Sequence, residues 1–202
     1  MGPSSPVAFV DPRTIVLLTG VMGGLMAVVL FFLRRNYPAS VRGLSHWAGG
    51  TALLFMAGLT AATRGILPDL FGISVANLLI FSGVYLQYFG SQHFFGLKPR
   101  FWPRYAVIVA MTLLSTWFLV ADPQYRVRLM ISTVVLAWLF SAHARLIHVH
   151  GVRSFAYRMA IAVLVCSFLS QVLRLATAWL LPLGTGILDN TPQNLIYVIS
   201  YP

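Results

Sequence analysis

Arg174 is the residue whose place in the sequence most demands an explanation, because it stands between two leucines inside a long apolar run. An ionisable side chain in such a run is costly in a membrane and commonly marks a functional site. Gln171 precedes it by three residues, so both side chains lie on one helix face. Together with Asn77 and Arg64, they could form an outward-facing pocket for a small anionic or polar ligand. The alternative is that Arg174 extends its guanidinium to the outer headgroups.

The five histidines form the second candidate group. Imidazoles gathered at one depth could bind a metal ion or a haem, and they could also respond to pH. However, the spacing of His143, His148 and His150 is not a strong ligand motif, which favours interfacial side chains with no metal. We therefore expect no bound cofactor, and the candidates for a metal site are restricted to His93, His143 and His148.

Other residues offer little for catalysis. The four acidic residues are all Asp, and none is paired inside an apolar run, which argues against a proton relay or an aspartyl protease within the membrane. No glycine-rich turn is followed by Lys, as a phosphate-binding loop would require. The single cysteine, Cys166, excludes an intrachain disulfide. We expect this chain alone not to be an enzyme.

Composition places the chain in a lipid bilayer. Of its 202 residues, 58% are hydrophobic and only 9% are charged, and the mean hydropathy is +0.82. A soluble protein of this composition would expose apolar side chains over much of its surface. The net charge of +10 comes from basic residues scattered in twos and threes, with no stripe or tail, so we expect no nucleic-acid partner.

Apolar runs of roughly 17 to 24 residues, each long enough to cross a membrane as a helix, recur along the chain. They predict one all-α transmembrane domain over residues 1–202, with six complete spans and the start of a seventh that is truncated at Pro202. We place these spans at 14–33, 44–63, 73–95, 105–121, 129–148, 159–181 and 193–202.

The breaks between these runs predict the orientation. Alternate breaks hold nine of the fourteen basic residues and no acid, and the breaks between them hold the acids. Since basic loops stay in the cytoplasm, the N-terminus should lie outside. The nine are Arg34, Arg35, Arg42, Lys98, Arg100, Arg104, Arg145, Arg153 and Arg158.

Small residues predict close helix packing. Gly20 and Gly24 form a GxxxG pattern in the first run, Gly83 and Gly90 lie in the third, and the second contains Ala48, Gly49 and Ala52. These patterns do not separate contacts within the chain from contacts between subunits.

A weak internal repeat is also present. Asp11-Pro12 recurs as Asp122-Pro123, and Leu67-Pro68 recurs as Leu181-Pro182. Helices 1–3 would then correspond to helices 5–7, as in transporters built from parallel repeats. A small transporter or channel is therefore an alternative function.

Several short stretches resemble the N-terminal membrane domain of bacterial GGDEF-type diguanylate cyclases. They are DPRTIVLLTG, FFLRR, LPDL, NLLIFSGVY, FFG and PQNLIYVI. The resemblance implies a sensory domain in the inner membrane that senses a small ligand and controls a cytoplasmic domain making cyclic di-GMP. It also implies a possible homodimer through the last helix. The catalytic motif GGDEF is missing from this sequence, so the cyclase activity would belong to residues outside it.

Overall fold

The described chain is built from helices, which satisfy their own backbone hydrogen bonds where no water is present. A computed structural model describes residues 12–36, 41–62, 68, 70–152 and 154–180, and no strand occurs among them. A π-helical segment, Leu70–Val75, leads directly into the third helix. The helices are α1 (Pro12–Asn36), α2 (Leu44–Ala62), α3 (Ala76–Phe94), α4 (Phe101–Val120), α5 (Tyr125–His150) and α6 (Phe155–Leu180).

Four described segments are long and apolar enough to cross a membrane. They coincide with the predicted spans at 73–95, 105–121, 129–148 and 159–181, and each begins three or four residues earlier. The runs at 14–33 and 44–63 form α1 and α2, which are not among these four, and 193–202 lies outside the described residues. The all-α prediction is therefore confirmed for the described residues, and four candidate membrane spans are supported, not six. The four are Leu70–Phe94, Phe101–Val120, Tyr125–His150 and Phe155–Leu180.

The centre of the bundle is α3, which packs against α2, α4 and α5. Tyr85 and Phe81 are its most deeply buried side chains, and Ile108 of α4 and Leu139 of α5 close over them. The Tyr85 hydroxyl donates a hydrogen bond of 2.8 Å to the carbonyl oxygen of Phe101, which fixes the start of α4 against α3. The outer helices have fewer neighbours: α1 packs on α2, and α6 packs on α5.

Helices α2 and α3 approach each other through glycine. A Cβ atom at Gly50 would lie 2.7 Å from the carbonyl oxygen of Gly83, and one at Gly83 would lie 2.8 Å from that of Gly50. Real side chains essentially never come so close, so only glycine permits this crossing. Two turns further along α3, Gly90 faces Trp47. A Cβ atom added at Gly90 would lie 2.8 Å from Trp47 Cδ1. Small-residue contacts of this kind drive helix association where lipid removes the hydrophobic driving force.

The GxxxG pattern of α1 is used within the chain. A Cβ atom added at Gly24 would lie 3.0 Å from the ring of Phe55. A Cβ atom added at Gly58 would lie 3.5 Å from the Cα atom of Gly20. Phe55 and Gly58 both belong to α2. The predicted small faces of α1 and α3 are therefore found in contacts with α2, whereas Ala52 of the predicted α2 face is exposed.

Consecutive helices run antiparallel, so the basic breaks gather at one end of the bundle. We call this the basic end; its described cations are Arg34, Arg35, Arg42, Lys98, Arg100, Arg104, Arg145 and Arg158. Among the described residues, the one acid is Asp122, which lies in the turn before α5 at the opposite end.

The sides of the bundle are apolar. Large hydrophobic side chains are exposed along α1, α4 and α6, and those of Trp117, Val163 and Leu173 are each more than half exposed. Exposed apolar surface of this extent marks an interaction surface, and in a helical chain of this composition it is the surface that meets lipid.

Replacing Gly50 with Ala should lower the free energy of unfolding by about 1–3 kcal/mol, because the new methyl group would force α2 away from α3. Gly23 provides the matched control. It lies inside α1 with no atom within 4 Å of an added Cβ, so Gly23→Ala should be neutral or stabilise by about 0.5–1 kcal/mol. Titration of the purified protein with a denaturing detergent measures both. Equal effects of the two substitutions would contradict the close crossing.

Candidate functional site

Helix α6 buries a polar stripe against α5. Gln171 and Arg174 are 0% and 5% exposed, although most of α6 is exposed. One turn on, Ala178 packs on Leu129 of α5, so the stripe faces that helix. Arg174 therefore lies on the side of α6 that packs on α5 and not on its exposed side. The two residues share one helix face, as their spacing predicts, and the structure shows that this face is buried.

The side-chain amide of Gln171 is buried and forms no hydrogen bond with the described residues, at either Oε1 or Nε2. A buried polar group left without a partner costs about 1–3 kcal/mol. Such groups are rare in folded proteins, and each requires an explanation. At Gln171, a polar ligand that both donates and accepts hydrogen bonds would remove the cost.

Thr133 of α5 is buried at the level where the register of the two helices places Arg174. Its hydroxyl is already used, because Oγ1 donates to the carbonyl oxygen of Leu129 at 2.7 Å. Thr133 is therefore already bonded within its own helix, in contrast to the amide of Gln171.

The structure does not join the other two members of the predicted pocket to this pair by any described contact. Asn77 lies in the first turn of α3 and is half-buried, and no hydrogen bond among the described residues joins it to Gln171 or Arg174. Arg64 lies outside the described residues. The site consequently rests on the two residues of α6.

The histidines all lie toward the basic end, but they do not converge. His93 stacks on His46 with ring centroids 5.1 Å apart, His143 is buried beside α3, and His148 is exposed. Within the described ranges, no group of three or more His, Cys, Asp or Glu side chains is placed to hold a metal ion. The three candidate ligands His93, His143 and His148 are thus separated into different surroundings.

A hydrogen-bonded network joins α2, α3 and α5 near the basic end. The indole N–H of Trp47 lies 3.1 Å from both the Gln87 carbonyl oxygen and Ser91 Oγ. Ser91 Oγ donates to that carbonyl at 3.0 Å and lies 2.8 Å from His143 Nε2. When the hydroxyl gives its single proton to the Gln87 carbonyl, His143 Nε2–H is the donor to Ser91 Oγ. We call these four residues the Ser91 network.

Sequence reasoning missed the Ser91 network. Its signal was the spacing of polar residues four apart on two helices, Trp47 with Thr51 and Gln87 with Ser91. The Thr51 hydroxyl accepts a hydrogen bond of 3.4 Å from Gln87 Nε2, which completes the pairing of the two faces. Such spacing becomes informative only when it is known that α2 and α3 are neighbours.

A double-mutant cycle on Ser91→Ala and His143→Phe tests the Ser91 network. Hydrogen bonds between membrane helices contribute about 0.6 kcal/mol on average. We expect a coupling energy of about 0.6–1.5 kcal/mol, measured by unfolding in denaturing detergent. The reason is that His143 is buried and its hydrogen bond to Ser91 is short. Additive effects of the two substitutions would show that the contact contributes nothing.

The unsatisfied amide generates a second prediction. Replacing Gln171 with Leu should raise the free energy of unfolding by about 1–3 kcal/mol, since an apolar side chain of similar size removes the buried donor and acceptor. Gln87→Leu is the matched control, because that amide is hydrogen-bonded to Thr51, and it should not stabilise. A loss of stability in Gln171→Leu would show that the amide has a bonding partner.

No protein-family model matches this chain, and neither a curated protein nor a solved structure matches it. The assignment of function therefore depends on the residues of the α5–α6 interface and the helices that hold them.

Proposed function

We propose that this chain is the membrane-embedded sensory domain of a bacterial signalling protein and that it responds to a small polar or anionic ligand at Gln171 and Arg174. The observation that carries the proposal is the fully buried amide of Gln171, which has no hydrogen-bond partner among the described residues, beside a buried arginine. The guanidinium of Arg174 suits a carboxylate or phosphate, and the amide suits a neighbouring hydroxyl or carbonyl.

The attachment of α6 supports a signalling role. Of the described helices, α5 is the main neighbour of α6, whereas the centre of the bundle has neighbours on several sides. A ligand seated between α5 and α6 would favour one packing of this pair over another. It can shift that balance only by as much as its affinities for the two packings differ.

The output follows from the resemblance to diguanylate cyclase membrane domains. In that arrangement, the movement of α6 would pass to the following span, expected at 193–202, and then to a cytoplasmic domain that makes cyclic di-GMP. A homodimer through the last helix would let two output domains meet. The chain itself would be the input and would perform no catalysis.

The orientation belongs to the same proposal. We infer that α1 and α2 also cross the inner membrane, which gives six complete spans followed by a seventh and a periplasmic N-terminus. In support, α1 has 25 residues and carries exposed apolar side chains between Leu18 and Leu33, and the described basic breaks share one end of the bundle. Basic loops are retained in the cytoplasm.

Fusions of green fluorescent protein and alkaline phosphatase test this orientation. Fusions after Asn36, Pro99 and Gly151 should fluoresce and lack phosphatase activity, because the basic end is cytoplasmic. Fusions after Ala62 and Pro123 should show the opposite pattern. Phosphatase activity at Asn36 would overturn the proposed orientation.

Two tests address the ligand site and its output. The first reads the gene beyond Pro202, and the second measures cyclic di-GMP in cells. A linker and a GGDEF sequence there would agree with the sensory role, whereas a stop codon just after a completed seventh helix would favour the transporter. Arg174→Leu should reduce the response of cyclic di-GMP to growth conditions by about 5–150-fold, the usual range for coupling between sites. Leu173→Ala, at a neighbouring exposed position, should leave the response unchanged. An undiminished response in Arg174→Leu would remove the proposed site.

A further inference from the structure

A second polar site lies at the basic end, in the connection between α3 and α4. It is a cavity of about 400 Å³ that opens at the surface of the bundle. Three of its side chains are cationic, and two prolines form part of its rim. The lining residues are Gln92, Leu97, Lys98, Pro99, Arg100, Pro103 and Arg104. We call it the α3–α4 pocket.

The inner wall of the α3–α4 pocket is ordered by contacts within the fold. The guanidinium of Arg104 lies 5.6 Å above the centre of the Tyr88 ring, within the range of a cation–π interaction. Gln92 Nε2 donates a hydrogen bond of 3.0 Å to the hydroxyl of Tyr88. Tyr88 therefore positions both the cation and the amide.

That arrangement leaves one acceptor of the pocket unused. Gln92 is 6% exposed, and its Oε1 is buried without a hydrogen bond from any described residue. The amide nitrogen is directed to the Tyr88 hydroxyl, which leaves the oxygen as the atom of this amide without a hydrogen bond from a described residue. The pocket thus combines cations that attract an anion with a buried acceptor that requires a donor.

We propose that the α3–α4 pocket binds the headgroup of an anionic phospholipid whose phosphodiester is esterified to a hydroxyl-bearing alcohol, as in phosphatidylglycerol. The phosphate would lie among Lys98, Arg100 and Arg104, and a headgroup hydroxyl would donate to Gln92 Oε1. A simple phosphate satisfies the cations but, when fully ionised, offers the amide oxygen no donor. The proposal rests on the proposed crossing of a membrane by these helices, which places the basic end at a membrane surface in either orientation.

The surroundings of the pocket favour a lipid over a free anion. Trp102 follows Arg100 and Phe101 at the start of α4, and its side chain is 76% exposed. Tryptophan in such a place commonly lies at the depth of the headgroups. The described residues of the basic end include no carboxylate that would compete for the cations. Pro99 and Pro103 restrict the backbone on both sides, so little flexibility is lost when a headgroup binds.

Native mass spectrometry of the purified chain in neutral detergent tests the proposal, with dioleoylphosphatidylglycerol as the probe. We expect one saturable site. The double variant Lys98→Gln, Arg100→Gln should bind about 30-fold more weakly, because each surface cation near anionic lipid strengthens binding roughly fivefold. Both side chains are exposed, so the variant should fold. The matched control is Arg145→Gln, Arg158→Gln, which removes the same charge from the same end outside the pocket and should change binding less than twofold.

Gln92→Leu tests the role of the amide oxygen. It should weaken binding of phosphatidylglycerol about fivefold, the effect of one lost hydrogen bond. Measured at an alkaline pH at which the phosphate of dioleoylphosphatidic acid is fully ionised, binding of that lipid should be unchanged. Equal losses for the two lipids would overturn the assignment of the headgroup hydroxyl to Gln92.

Three further outcomes decide the source and the place of the anion. Equal weakening by the two double variants would show a diffuse basic surface and overturn the pocket. Binding of inorganic phosphate or glycerophosphoglycerol as tightly as the lipid would overturn the choice of a lipid. Failure of the fusions to place the basic end in the cytoplasm, with lipid binding retained, would overturn the orientation and leave the pocket standing.

Discussion

The contact of Gly50 with Gly83 is the constraint on which the rest of the bundle depends. Backbone atoms of α2 and α3 meet there without a side chain between them. This approach brings the indole of Trp47 within hydrogen-bond distance of Ser91, and Ser91 in turn reaches His143 of α5. Three helices are thereby fixed in order, and α6 is added to the last of them. A wider separation of α2 and α3 would break the Ser91 network at its first bond.

The two polar regions inside the bundle differ in how well they are satisfied. In the Ser91 network, each donor has an acceptor, so the network holds its helices in one arrangement. At the α5–α6 interface, the amide of Gln171 is buried without such partners. Polar groups that are fully bonded rigidify a core, whereas partly bonded ones leave alternative packings close in energy. The proposed sensory movement is therefore assigned to the interface whose buried amide is not hydrogen-bonded.

The positions of the helices could be predicted from sequence because long apolar runs and helices have the same extent in a membrane. The predicted span 44–63 differs from α2, Leu44–Ala62, by one residue at its end. The starts of the later helices were placed too late because aromatic and charged residues such as those of Phe101–Arg104 lower hydropathy but still form the first turn. The number of membrane spans was predicted less well, because six complete spans were expected and four described segments are long and apolar enough.

The site was only partly predictable. The spacing of Gln171 and Arg174 placed them on one face, but spacing does not say whether that face meets lipid or protein. The expected small face of α2 included Gly49, whereas the close crossing uses Gly50. One residue turns a helix by about 100°, so such an error moves the contact to another side. The five histidines were placed at one end correctly, but whether they converge depends on rotations that no single-helix pattern contains.

The widened turn at Leu70–Val75 determines how the chain enters α3. A π-type turn bonds residues five apart, so it holds one residue more than an α-turn. Here it brings the hydroxyl of Ser74 within 2.9 Å of Thr116 on α4 while α3 continues with regular geometry. The extra residue is thus taken up before Ala76, and the glycines of α3 that face α2 lie in regular α-helix beyond it.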